Sequence, residues 1–446
     1  NHFGRKRLLM MSVVGFTATS FLCGLAPNLP FLIVCRVLQG TCGGALQPLS
    51  QAVLLEAFPP QDRGKAMAFW GLGIVVAPML GPVLGGWLTD SYSWRWVFYI
   101  NIPVGVASII MTKFFIFDPP YIRRGKGGVD YWGIGMLAVG VGALQVVLDK
   151  GQEEDWFSSH WITALAVVAA VALTLFLVYE LTIKHPVVDL RVFKQRSYAT
   201  GVFLMTLMGF VLYGSLVLLP IFLQTLLGYP ALEAGMALAP RGIGAFLGMP
   251  VIGIIMSKFD PRKLLAIGFL LAAYTLIRLG SLNLNAGYWD IFWPQFIQGF
   301  SLALLFVPLT TVTMDRIARE GMGNATSMFN LMRNIGGSAG IAAVTTMVVR
   351  RQQTFSQSVG AHVNIYSLGS RLMLQQMRNA FIAGGADVAT ATQRAYAAAF
   401  GMVQRQAAML SFNAAFWLLA ILFVAMVPLI LIMERPVSRG GGVAAH

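Results

Sequence analysis

Charge is what this 446-residue sequence is short of. Asp, Glu, Lys and Arg make up 11% of it, where a soluble domain carries roughly 25%. With 57% hydrophobic residues, it has too little polar surface to cover a soluble globule, and a bilayer is its natural solvent. Acidic residues are the scarcer sign, 18 against 32 Lys plus Arg. Every one reads as a loop residue or lies near the end of an apolar run, with Asp149 and Glu180 closest to one. Cysteine is nearly absent. Cys23, Cys35 and Cys42 sit in or beside the first two apolar runs; an odd number there gives no disulfide framework, and they read as small packing residues. The sequence also lacks a metal-ligand cluster, a phosphate-binding loop and a catalytic triad. No enzyme, metal or cofactor is therefore expected, and ATP is not the expected energy source.

The net charge of +14 raises nucleic acid as a partner, but its distribution argues otherwise. The basic residues form short clusters between apolar runs of about 20 residues, the pattern of cytoplasmic loops. Twelve transmembrane helices are predicted, near 8–26, 30–56, 66–88, 96–117, 131–149, 161–182, 198–226, 234–257, 264–282, 288–314, 321–349 and 407–433. With the first residues cytoplasmic, the inner segments hold nineteen Lys or Arg. The five short outer loops hold only Arg95 and Lys150. Both ends of the chain are then cytoplasmic, and the acidic run Glu153–Asp155 lies outside. Residues 350–405 depart from the pattern: they carry six arginines in an outer segment long enough to translocate regardless of charge. The segment reads as two amphipathic helices, with Ile365, Leu368, Leu372 and Phe381 on the apolar faces and Asp387 as N-cap of the second.

An internal repeat divides the chain. GRKRLL at 4–9 is echoed by DPRKLL at 260–265, LQG at 38–40 by IQG at 297–299, and RGKAMA at 63–68 by MGNATS at 322–327. Two parallel helical repeats are the pattern of a major facilitator bundle. Three units are expected: 1–117 with four spans of a first bundle, 118–197 with two linker spans, and 198–446 with six spans and the outer insert 350–405. Two spans precede the DPRK loop within its half, so by symmetry two are expected ahead of GRKR, making 6+2+6.

The most specific local motif is GIVVAPMLGPVLGG at 73–86. Gly73, Ala77, Gly81 and Gly85 recur every fourth residue on one helix face, where small side chains let another helix approach; Gly86 follows, and Pro78 and Pro82 are expected to bend the helix. This run resembles the antiporter motif of drug-exporting major facilitator proteins. The following GWLTDSYSWRWVFYINIPVG, and FNLMRNIGGSAGIA at 329–342, resemble stretches of the fourteen-span drug:proton antiporters of the EmrB/QacA type. The resemblance spans essentially the whole chain except for the family's first two spans.

The resemblance implies an all-helical major facilitator bundle in a bacterial inner membrane. Its expected work is proton-coupled export of amphipathic or aromatic small molecules, with a periplasmic adaptor as a possible partner at the outer insert. It implies a cytoplasmic gate loop at Gly4, Arg5 and Lys6 and a proton-coupling region at Arg36, Gln39 and Gly40. Arg36, Arg241 and Arg333 read as buried intramembrane charges. The polar residues Gln47, Asn101, Gln145, Gln224, Gln298 and Asn330 join Arg241 and Arg333 as cavity candidates, each weighed against a plain helix–helix hydrogen bond. No span carries a central carboxylate. The family's first span carries an aspartate, so residues 1–446 alone are expected to lack proton coupling. Two rival readings remain: an exporter of one metabolite, such as a fatty acid or siderophore, and a membrane scaffold inactive in transport.

Overall fold

A computed structural model describes residues 4–59, 62–117, 130–183, 188–256, 258–318, 321–363 and 366–433. Among these, all regular structure is helical. The first six helices are α1 (Arg5–Gly24), α2 (Leu29–Gly43), α3 (Leu46–Ala57), α4 (Arg63–Ser91), α5 (Trp96–Tyr99) and α6 (Asn101–Phe115). A pair follows, α7 (Tyr131–Lys150) and α8 (His160–Thr182). The remainder are α9 (Arg196–Leu226), α10 (Ala231–Met236), α11 (Ala239–Ile255), α12 (Pro261–Leu279), α13 (Tyr288–Met314), α14 (Met322–His362), α15 (Leu368–Ala383) and α16 (Val388–Met426).

Local chemistry sets many starts. The Asn28 side chain accepts from the Phe31 amide at 3.0 Å and Pro30 opens α2. Asp130 accepts from the Gly133 amide at 2.9 Å at α7, and Asp260 from the Arg262 amide at 3.0 Å at α12. Each satisfies an amide that the first helical turn leaves unpaired. Gly4 precedes α1 with φ 79°, a conformation that a residue with a Cβ rarely adopts.

Nine stretches among the described residues are long and apolar enough to cross a membrane: α1, α2 with α3, α5 with α6, α7, α8, α9, α10 with α11, α13 and α16. The other three predicted spans are the helices α4, α12 and α14. Arg262, Lys263 and Arg278 give α12 its charge, and α14 opens on the polar MGNATSMFNLMRN. Three spans are broken rather than continuous. The 30–56 span breaks at Gly44–Ala45, beside Gly40 and Gly43, where glycine weakens the helix. The 96–117 span breaks at Ile100, and the 234–257 span breaks ahead of Pro240.

The outer insert differs from two separate amphipathic helices. α14 runs unbroken past residue 349 to His362, and α16 begins at Val388, so only α15 is separate. Arg350–His362 continues α14 because nothing in it breaks a helix. Asp387 caps α16, accepting from the Ala389 and Thr390 amides at 3.1 Å. The Thr390 side chain first, then the Thr390 and Ala389 amides, hold its carboxyl below the usual range. Leu368 and Leu372 are exposed rather than packed, while Ile365 lies outside the described residues.

Packing is densest from α9 to α16. A Cβ on Gly336 or Gly340 would fall on the backbone carbonyl of Thr206 or Phe210, so α9 and α14 meet backbone to backbone. α11 and α13 meet in the same way: a Cβ on Gly244 would strike the Phe296 carbonyl, and one on Gly299 the Arg241 carbonyl. α7 and α8 pair with each other, and Ser338 of α14 donates to Gln145 of α7 at 2.8 Å.

Candidate functional site: a polar seam between α3 and α14

α3 and α14 carry polar residues at helical spacing, Gln47 and Gln51 on one and Thr326, Asn330 and Arg333 on the other. The fold brings these two rows face to face. Arg333 Nη2 donates to Gln47 Oε1 at 2.7 Å, Asn330 Nδ2 to Gln51 Oε1 at 2.6 Å, and Thr326 Oγ1 to the Pro48 carbonyl at 3.2 Å. Gln51, Thr326, Asn330 and Arg333 are buried. Such bonds are strengthened in a low dielectric, and a partner lost there is costly. The partners lie 278, 279 and 286 residues apart in sequence, so the seam joins the first copy of the internal repeat to the second. Next to it, Trp70 of α4 stacks on Phe306 of α13 at 5.7 Å, and Gly71 faces Met249 and Phe306 at 3.1 Å.

Below the seam, Arg5 at the start of α1 pairs with Glu56 near the end of α3, both buried. Arg63 donates from Nε to the Leu55 carbonyl at 3.0 Å. Lys6 Nζ reaches the Lys113 carbonyl at 2.8 Å, tying α1 to the end of α6. Arg5 and Lys6 thus hold neighbouring helix ends together.

A second cluster joins α1, α2 and α6. Arg36 Nη1 donates to Gln39 Oε1 at 3.0 Å, Gln39 Nε2 donates to the Ser20 hydroxyl, and Asn101 Nδ2 donates to Ser20 Oγ at 3.2 Å. The Arg36 guanidinium lies 5.3 Å from the centre of the Phe98 ring, a cation–π arrangement. Arg36 is nevertheless exposed, contrary to the buried charge read from its place in the span. The reason is packing: α2 lies against α1 and the start of α3, leaving the face with Ile33, Val34, Val37 and Leu38 uncovered. Gly40 has no atom within 4 Å of a Cβ position.

Arg241 and Arg333 are buried as expected, each 1% exposed. Arg241 Nη2 donates to Ser215 Oγ at 2.8 Å. Gln298 is buried on α13, its Oε1 accepting from Gln295 Nε2 at 3.3 Å. Gln145 is turned to Asp149 and Ser338 and stays outside the seam. Gln224 is exposed at the end of α9 and joins no cluster. Among the described residues the small-residue stripe forms no close seam: at Gly73, Gly81, Gly85 and Gly86 a Cβ would meet none of their atoms within 4 Å. α4 instead packs through Gly64, Trp70 and Gly71 in its first third. It is helical through Pro78 and Pro82, whose side chains lie outside the described residues. A separate cleft of about 430 Å³, lined by Gln352, Gln353, Ser356, Gln357 and Gln404, lies at the outer insert. Sequence reading missed Gln51, Glu56, Ser20, Ser215 and Thr326. Of these, Gln51 and Thr326 had a visible signal, their i,i+4 spacing from Gln47 and Asn330.

The Major Facilitator Superfamily model matches residues 1–341. The chain belongs to the Major Facilitator Superfamily. It is 36% identical over 440 residues to the "Multidrug export protein EmrB" of Escherichia coli strain K12, covering 98% of this chain and 84% of that protein. It is also 36% identical over 440 residues to the "Fatty acid resistance protein FarB" of Neisseria gonorrhoeae, covering 98% and 85%. In overall shape this major facilitator chain is similar to the human organic anion transporter MFSD10, with TM-score 0.57, 12% identity and 94% and 77% of the two chains covered. The proton:xylose symporter XylE aligns with TM-score 0.56 and 14% identity over 98% and 81%. At such identities these two structures show the fold alone. As a superfamily member, the protein is a multi-pass membrane transporter and not an enzyme.

Proposed function

We propose that the chain is the drug-exporting part of a proton-coupled transporter of amphipathic or aromatic compounds that works by alternating access, the proton being carried by a carboxylate that no span of residues 1–446 holds at its centre. The α3–α14 seam is the closure it must open. The observation that carries this reading is the buried Arg333–Gln47 contact with its Asn330–Gln51 neighbour. These are short, specific bonds between two helical groups, of a kind that two discrete arrangements can exchange. The names of the EmrB relatives support drugs as cargo. In this reading residues 1–117 and 198–446 are the two rocking units, with 118–197 a linker. The bacterial relatives support an inner-membrane location, and the charge pattern supports an orientation with the Arg5–Glu56 end and both chain ends in the cytoplasm. Arg36, Gln39 and Gly40 form the coupling region. The exposed guanidinium of Arg36, steered by Gln39 and Phe98, is placed to meet a proton-carrying group.

The outer insert is the docking surface for a periplasmic adaptor in this reading. It holds six arginines against a single acidic residue, Asp387, and α14 and α16 carry it beyond the spans. A second reading, export of a fatty acid, is favoured by the similarity to FarB. Accumulation of a fluorescent drug and release of a labelled fatty acid, measured in the same cells with and without the protein, separate the two. Lowered drug accumulation with unchanged fatty-acid release supports the first reading, and the reverse supports the second.

A further inference from the structure

Cations buried in this protein mostly have evident partners. Arg5 pairs with Glu56, Arg63 meets the Leu55 carbonyl, and Arg333 meets Gln47. Arg333 and Arg241 each leave Nε and Nη1 without a partner among the described residues, but Arg333 sits in the polar seam, whereas Arg241 stands outside it. Arg241 is fully buried, and its Nη2 meets only the neutral hydroxyl of Ser215. None of the ion pairs Arg5–Glu56, Lys65–Asp62 and Lys150–Glu153 involves Arg241.

In this conformation the side chain is closed off from solvent, 1% exposed. Arg241 lies in the first turn of α11, inside the span Leu232–Ile255 and past the break that separates α10 from α11. Ile255 is fourteen residues further on, about 21 Å at 1.5 Å per residue, further than an arginine snorkels. α11 and α13 are in backbone contact at this level, where Gly299 abuts the Arg241 carbonyl. The charge is thus buried within the span, where an uncompensated ion is strongly disfavoured.

The repeat sharpens the point. Aligning RVLQG at 36–40 with QFIQG at 295–299 sets Arg36 opposite Gln295 and Gln39 opposite Gln298. Each group keeps the glutamine contact, Arg36 to Gln39 in one and Gln295 to Gln298 in the other. The second carries no arginine at the matching position of α13; the buried guanidinium of the adjacent α11 is that of Arg241, bonded to Ser215 of α9. Apolar side chains of α9 and α11 are buried on the same helices, among them Val211, Leu218, Leu219, Ala245 and Met249.

We propose that Arg241, with Ser215, is a binding site for a monovalent anion. Its occupant is the carboxylate of an amphipathic substrate or a free inorganic anion such as chloride, and both are held by the same charge-assisted hydrogen bonds. In naming a substrate class the proposal rests on the export reading above, although binding is measured without transport.

The test uses the purified full chain in low-chloride buffer, with dodecanoate, dodecanol and chloride as probes. If the substrate carboxylate is the occupant, dodecanoate binds at least tenfold more tightly than dodecanol. Arg241→Gln then removes that preference and leaves dodecanol binding unchanged. If an inorganic anion is the occupant, chloride raises the Tm of the wild type and not of Arg241→Gln, and the two alkyl probes bind alike. Ser215→Glu, which tethers a carboxylate beside Arg241, covers the case in which Arg241→Gln does not fold. It is expected to raise Tm and abolish both anion effects. The proposal is overturned if the wild type shows neither effect, or if Arg241→Gln or Ser215→Glu retains the one the wild type shows. A chain that binds anions as stated but exports no drug overturns the export reading and leaves this site standing.

Discussion

Removing the glutamines of the α3–α14 seam should unlatch it by a predictable amount. Gln47 Oε1 accepts a 2.7 Å bond from a buried guanidinium, the charged class worth about 1.5–3 kcal/mol. Gln51 Oε1 accepts from an amide that also donates to the Thr326 carbonyl at 2.8 Å, so its loss is partly compensated and costs about 1 kcal/mol. Gln47→Leu with Gln51→Leu should thus disfavour the latched form by roughly 3 kcal/mol, about a hundredfold at 1.4 kcal/mol per tenfold. Cysteines at the exposed Ala57 and Ser327, in a background lacking Cys23, Cys35 and Cys42, report this shift through spin-label distances. The double variant should move most molecules to a longer distance. A cycle of Gln47→Leu and Arg333→Gln should show a coupling of about 1.5 kcal/mol or more. An unchanged distance distribution with strictly additive single variants would refute the assignment of these bonds as a latch.

Glycine replacements should separate tight seams from open faces. Gly244→Leu or Gly299→Leu forces a side chain onto a neighbouring carbonyl and should abolish stable insertion, whereas Gly81→Leu meets nothing within 4 Å and should leave yield and Tm near wild type; size-exclusion profiles and thermal scans decide. Arg5→Ala strands Glu56 without its ion-pair partner in a buried site and should cost about 3–5 kcal/mol; Arg5→Gln with Glu56→Gln should cost less than either single change, as read from Tm. Asp387 has a folded-state pKa held below its unfolded value, so its contribution to the start of α16 is present above the unfolded value and lost as pH falls through the folded one; amide exchange at Thr390 and Ala391 should speed up at low pH in the wild type and show no such change in Asp387→Ala. Cysteines replacing Lys126 and Arg262 should be labelled only from the cytoplasm and one replacing Glu154 only from outside; labelling of position 126 from outside contradicts the orientation.

Sequence carried the fold a long way because a bilayer imposes a coarse rule, one long apolar run per span, and basic loops set its sense. It carried the seam only in part. Arg333, Asn330 and Gln47 stand out as polar residues within apolar runs, but nothing local says that they face one another across nearly 280 residues. Glu56 reads as a loop acid because it lies beside the Phe-Pro-Pro run at 58–60, and its pairing with Arg5 depends on how α1 meets α3. Arg36 misled for the opposite reason: depth along a helix is legible, whereas which face stays uncovered depends on the neighbours of α2. The glycine stripe in α4 is similar, since spacing by four guarantees a small-residue face but not a helix to fill it.

Alternation itself is most directly tested by two label pairs in the same molecule, Ala57 with Ser327 at the seam and Leu29 with Thr225 toward the opposite end. Pulsed-EPR distances are recorded with and without an exported drug in lipid nanodiscs. The account predicts opposed changes, the seam pair lengthening as the far pair shortens. Distances at both ends that ignore the drug, or that lengthen together, would contradict it.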